Sequence, residues 1–225
     1  EVIRLRNPKV VVTFEDIVRG PILFDTTELG DFVIARGMKE PLYHLAVVID
    51  DNDMNITHVI RGEDHISNTP RQILIQQALG FSRPFYAHIP LILTSDRSKM
   101  SKREGGSISI RQLREKGYMK EALINYLALL GWNPGGSREF YDIDELAIIF
   151  DLQKIQRGGA QFNIEKLNWF NQHYVKNISE KGFEKIVKQA LPRRVTELDG
   201  YNEKTLERLI PVLKEKIKSF GDVYT

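Results

Sequence analysis

Thr57-His58-Val59-Ile60-Arg61-Gly62-Glu63-Asp64-His65-Ile66-Ser67-Asn68-Thr69-Pro70 passes from one kind of local order to another. Thr57 to Arg61 is rich in β-branched residues and stops at Gly62, which reads as a short strand. Ser67-Asn68-Thr69-Pro70 supplies polar caps with a proline near the first helical position, which reads as a helix start. Ile73, Ile75, Ala78 and Leu79 are the apolar positions of that helix, and Gly80 closes it. Ala87 to Leu93 then reads as a further strand. Strand, helix, strand predicts part of a parallel α/β sheet. Upstream, Tyr43 to Ile49 is almost continuously apolar. It reads as a strand buried on both faces, stopped by Asp50-Asp51-Asn52-Asp53.

Working outward, residues 1–40 carry short β segments, Val10 to Phe14, Ile22 to Phe24 and Phe32 to Ala35, separated by Gly-Pro and Gly-Asp turns. They predict a small meander. Residues 96–107 form a polar, basic loop, and from 109 to 175 the pattern is mostly helical. Met119 to Leu130, Ile143 to Phe150 and Ile164 to Val175 are the helices expected there. Residues 179–190 and 202–219 are amphipathic and Lys-rich, with Pro211 expected to kink or break the second. Composition changes near 42, 110 and 175 mark the expected domain boundaries.

The 225 residues contain 42% hydrophobic and 28% charged side chains, the balance of a globular chain, which excludes collagen and wholesale disorder. The net charge of +2 makes nucleic-acid contact a matter of local patches. Cysteine is absent, which excludes disulfides, thiolate zinc sites and a cysteine nucleophile. No apolar run is long enough to span a membrane, and no secretory leader opens the chain, so cytoplasm is the expected location. The chain starts at Glu1 within a strand-like run and ends just after a helical pattern, so a fragment of a longer polypeptide is expected.

Chemistry concentrates in two places. Lys99-Met100-Ser101-Lys102-Arg103 puts two lysines three apart on a loop after a buried strand, suited to polyphosphate oxygens. Gly105-Gly106 supplies a hinge; a solvated basic loop satisfies the same spacing. Arg61-Gly62-Glu63-Asp64-His65 sits at the carboxyl end of a strand, where open parallel sheets bind ligands. Arg61 can clamp a carboxylate through two parallel hydrogen bonds, and Glu63 and Asp64 can take ribose hydroxyls or an amine. A turn with a local Arg–Glu pair fits equally well. Tyr43 offers a hydroxyl to a ligand or to the core. No metal-ligand spacing, Ser/His/Asp set, G-x-x-x-x-G-K-[ST] loop or G-x-G-x-x-G occurs. Between 97 and 120 eight basic residues face two acidic ones, and Lys176, Lys181, Lys185, Lys188, Arg193 and Arg194 extend the basic character. A phosphate backbone and an ordinary solvated face both fit.

Taken together, Tyr43 to Asp51, Thr57 to Pro70 and Lys99 to Arg103, with Asp16-Ile17-Val18-Arg19-Gly20 and Asn125 to Trp132, resemble bacterial-type glutamyl-tRNA synthetases, class I aminoacyl-tRNA synthetases. The resemblance is close over residues 1 to about 175 and looser beyond. It implies the second half of a Rossmann catalytic domain: 1–42 as the end of an acceptor-binding insertion and 43–107 as the catalytic half. Residues 108–175 become a stem-contact domain, and 176–225 the start of a helical anticodon-binding domain. Lys102 and Lys99 are the implied catalytic residues. Lys99, Met100, Ser101, Lys102, Arg103, Asp64, Leu91 and Ile92 are the implied ATP contacts. Tyr43, Arg61 and Val47 are the implied glutamate contacts; some members carry a polar residue at the position of Val47. ATP with Mg2+, L-glutamate and the tRNA for glutamate are the implied cofactor and partners, with no protein-bound zinc in this segment, no membrane and a family that is usually monomeric. The family's H-x-G-H-like signature is absent from these residues, so the chain is expected to hold one side of the active site and to be inactive alone. A tRNA-binding module without chemistry is the alternative from another class. A glutaminyl-tRNA synthetase or the related glutamyl-queuosine enzyme are further alternatives.

Overall fold

The computed structural model describes residues 2–94, 97–98, 109–191 and 202–223. Two compact units are present: Glu1–Leu91 with Asp151–Gly159, and Ile92–Phe150 with Ala160–Thr225.

In the first unit, β1 (Ile3–Leu5) pairs antiparallel with β4 (Phe32–Ala35). β2 (Val11–Asp16) and β3 (Gly20–Asp25) form an antiparallel hairpin. This is not a self-contained meander. β2 also runs parallel to β6 (Phe85–Ile89), and β6 runs parallel to β5 (His58–Gly62), giving the order β3-β2-β6-β5. α2 (Thr69–Leu79) begins with proline in its first turn and ends at Gly80, whose φ of 70° lies in the left-handed region. It joins β5 to β6, so the expected strand–helix–strand unit is present. Alternation in β2 buries Val12, Phe14 and Asp16 and exposes Val11, Thr13 and Glu15. Val12, Phe14, Ile73, Leu74 and Tyr86 form the core between this sheet face and α2.

The structure corrects the reading of Tyr43 to Ile49. It is not a strand but the start of α1 (Tyr43–Asp53), which packs on α2 and β4. A continuous apolar run carries no periodicity and cannot separate a buried strand from a buried helix. Asp50 to Asp53 form the last turn rather than a strand stop. Asn55, with φ of 54°, closes the helix while Ile56 N–H returns to the Asp51 carbonyl at 2.8 Å. The expected strand from Ala87 to Leu93 is also divided: β6 ends at Ile89, Pro90 has no N–H for a ladder, and Ile92–Leu93 forms β7.

In the second unit β7 pairs with β8 (Ala160–Gln161). α3 (Ile110–Glu115) and α5 (Ile143–Ile149) both start with capping boxes, at Ser109 and Asp142. α4 (Lys120–Leu129) and α6 (Ile164–Asn177) share a core of Leu123, Tyr126, Leu167 and Phe170. α7 (Glu180–Ala190) and α8 (Glu203–Lys216) pack around Val175, Phe183, Val187, Leu206, Ile210 and Phe220. Pro211 lies inside α8 and does not break it. Gly117, with φ of 77°, lets this second core meet the first. Its carbonyl accepts from Phe220 N–H at 3.1 Å, and a Cβ there would stand 2.6 Å from the Gly221 nitrogen.

Candidate active site

Three neighbouring strands end their core-facing side chains in polar groups at the carboxyl ends. β2 runs Val12, Phe14, Asp16; β6 runs Tyr86, His88; β5 runs Val59, Arg61, with Arg61 and His88 in register. Strand order therefore places Asp16, His88 and Arg61 in a row. His88 and Asp16 are wholly buried, and His88 Nδ1 meets Asp16 Oδ2 at 2.6 Å. Asp16 further accepts the backbone N–H groups of Val18, Arg19 and His88. Arg61 Nε donates to His88 Nε2 at 3.1 Å. A guanidinium can only donate, so Nε2 carries the lone pair and Nδ1 the proton. The imidazole is neutral, and burial holds its pKa below the ordinary value.

Arg61 Nη2 donates to Thr69 Oγ1 and Gln72 Oε1, each at 2.8 Å, from the first turn of α2. Its face lies 5.9 Å from the Tyr86 ring. Burial lowers the Arg61 pKa, while the Tyr43 phenol beside it favours the charge. Among the described residues no carboxylate stands within ion-pair distance of Arg61. Nε and Nη2 are thus spent on His88, Thr69, Gln72 and the His65 carbonyl, and the Tyr43 phenol also bonds the guanidinium. The Gln72 amide nitrogen and His44 Nδ1, both buried, also have no hydrogen-bond partner among the described residues.

The other expected contacts fall as follows. Tyr43 opens α1, half exposed, with its ring 6.3 Å from His65. Val47 lies one turn further along α1. Glu63 is not open to a ribose or an amine. It pairs with Arg19 and accepts Leu91 N–H at 3.1 Å, so the Arg–Glu pair joins Glu63 to β2's end rather than to Arg61. Arg19 also donates to the carbonyls of His88 and Arg157, which fixes it in place. Asp64 is exposed on the 3-10 turn Glu63–Asn68, and its Oδ1 lies 2.5 Å from where a Cβ on Gly62 would stand, so Gly62 makes room for that carboxylate. The Leu91 N–H is therefore committed, and Ile92 pairs with Ala160 inside the second unit. Lys99, Met100, Ser101, Lys102 and Arg103 lie outside the described residues. Among the described residues no group of three His, Asp or Glu side chains stands together as metal ligands. A cleft of about 360 Å3 lined by Asp51, Asn55, Thr57, Arg83 and Phe85 lies at the amino ends of β5 and β6. Ligands of parallel sheets bind at the opposite ends, so this cleft is not the candidate site. Of the basic residues expected to face phosphate, Lys176 pairs with Glu215, and Lys188 with Glu184 and Glu203.

A family model described as tRNA synthetases class I (E and Q), catalytic domain, matches residues 1–169. The chain belongs to this family. Among curated class I synthetases, the glutamate–tRNA ligase of Nitrosospira multiformis is 45% identical over 223 residues, 99% of this chain and 48% of that protein. That of Desulforamulus reducens is 50% identical over 192 residues, 85% of this chain and 39% of its own length. A crystal structure of a glutamate tRNA ligase from Elizabethkingia meningosepticum, in complex with its amino acid, superposes with a TM-score of 0.87 at 34% identity, covering 99% of this chain and 47% of that one. The chain thus spans about half the length of the relatives it matches. The mixed α/β fold, with its parallel sheet and helices, is that of the class I synthetase catalytic domain.

Proposed function

We propose that this chain is part of a glutamate–tRNA ligase and carries the acid-recognising side of its active site. The observation that carries the reading is Arg61: a half-buried cation at the carboxyl ends of the sheet, hydrogen-bonded to neutral acceptors and in ion-pair contact with no described carboxylate, Asp51 acting on it only from further away. Arg61 receives the side-chain carboxylate of glutamate, with Tyr43 and Val47 on α1 beside it. The unpartnered Gln72 amide, against Arg61, is a second donor in reach of the same oxygens. ATP lies against Asp64, Leu91, Ile92 and the Lys99–Arg103 loop, and Mg2+ arrives with its phosphates.

In the reaction the α-carboxylate of glutamate attacks the α-phosphorus of ATP and pyrophosphate leaves. The glutamyl group then passes to the terminal adenosine of the tRNA, releasing AMP. No covalent enzyme intermediate is required; positioning and charge stabilisation carry the rate. Lys102 and Lys99 meet the charge that develops on the departing phosphates. The cytoplasm is the compartment, and the domain reading stands within the proposal: 1–42 insertion, 43–107 catalytic half, 108–175 stem contact, 176–225 the start of the anticodon-binding helices. Calorimetric titration with a non-hydrolysable glutamyl-adenylate analogue tests the reading. Arg61→Ala removes one charge-assisted contact and should cost about 1.5–3 kcal/mol of binding. Unchanged affinity would take Arg61 out of the site.

A further inference from the structure

We infer that Asp16 and His88 are positioning residues that keep Arg61 oriented, with no carboxylate bonded to it directly, for a side-chain carboxylate. The inference rests on the proposed role of Arg61. It starts from an oddity of the core. Asp16 is 1% exposed and His88 0%, so neither side chain meets solvent. They continue the apolar faces of β2 and β6 under α2, a place where hydrophobic residues would be cheaper.

Their arrangement explains the cost. An arginine held directly by a carboxylate has its charge met before substrate arrives. Here the carboxylate stands one imidazole away. Asp16 accepts a hydrogen bond from Nδ1–H, which leaves the Nε2 lone pair facing Arg61 Nε. Thr69 and Gln72 hold Nη2, so every acceptor touching the guanidinium is neutral. The cation is fixed in direction by three neutral side chains, and with Asp51 acting on it only from beyond ion-pair distance its direct contacts leave the charge for a ligand. An uncharged amide ligand would gain far less from such a group than a carboxylate would, so the same arrangement sets the preference for glutamate over glutamine.

Titrations of the 225-residue chain with glutamyl- and glutaminyl-sulfamoyl adenosine, and with AMP as the nucleotide-only probe, test this. His88→Leu fills the core but offers no acceptor; Asp16→Asn frees the other tautomer. Each should weaken the glutamyl probe about tenfold or more, narrow its preference over the glutaminyl probe, and leave AMP unchanged. His88→Gln, whose amide oxygen can still accept from Arg61, should restore part of the preference. A full preference in His88→Leu would overturn the inference. A full preference in Arg61→Ala would instead overturn the reading on which it rests. Nitrogen-15 NMR of the unaltered chain gives a check that needs no variant to fold: the His88 ring should be protonated at Nδ1 alone, and a proton on Nε2 would also overturn the inference.

Discussion

At the residue scale the orientation of Arg61 depends on a neutral His88. Asp16 raises its affinity for a proton, but burial, with Arg61 and His65 adding like charge, lowers it further. Tyr86 stacks beside the ring without a charge. An imidazole in the unfolded chain titrates near its ordinary value of 6.5, and the folded one below that. The folded state therefore binds fewer protons between those two values. The stabilisation is fully present above the unfolded pKa and is lost as pH falls through the folded one. Between about pH 7 and pH 5 the melting temperature should fall more steeply for the unaltered chain than for His88→Gln. Parallel curves would show that His88 does not titrate in this way. Arg61 was legible in the sequence because arginine after a strand and before glycine stands at a sheet's carboxyl end. Asp16 and His88 were not, because their roles come from strand order: the two lie 72 positions apart in sequence and meet only because β2 runs beside β6, and a lone histidine carries no local signal.

At the element scale the turn chemistry was readable and the apolar runs were not. Pro70 and Gly80 bracket α2 as their backbone preferences require. Tyr43 to Ile49 is a helix because Pro41 and extended Leu42 start it and Asn55 in the left-handed region ends it, whereas the run between them is silent on period. Gly117 makes a sharper test of local geometry. Alanine there meets both a positive φ and the backbone of Gly221. Gly117→Ala should destabilise the chain by about 1–3 kcal/mol from backbone conformation alone, and by more for the clash. Chemical denaturation measures this, and a midpoint equal to that of the unaltered chain would show that the Lys116–Gly117 crossing under Phe220–Gly221 is dispensable.

At the scale of the whole molecule, the contacts gather the chain into two units, Glu1–Leu91 with Asp151–Gly159 and Ile92–Phe150 with Ala160–Thr225. Composition records which residues a segment uses, whereas β2 joins the sheet of β5 and β6 through a pairing that no local pattern announces. Family membership rests on the match over residues 1–169, and the chain spans about half of its relatives. No described helix is long and apolar enough to cross a membrane. The central claim is that these residues alone already distinguish an acid side chain. Differential scanning fluorimetry with glutamyl- and glutaminyl-sulfamoyl adenosine, on the unaltered chain and on Lys102→Ala, addresses it directly. The account predicts a larger rise in melting temperature with the glutamyl compound, and a smaller rise for both compounds in Lys102→Ala with the preference kept. Equal shifts with the two compounds, or none in a chain that still melts cooperatively, would contradict it.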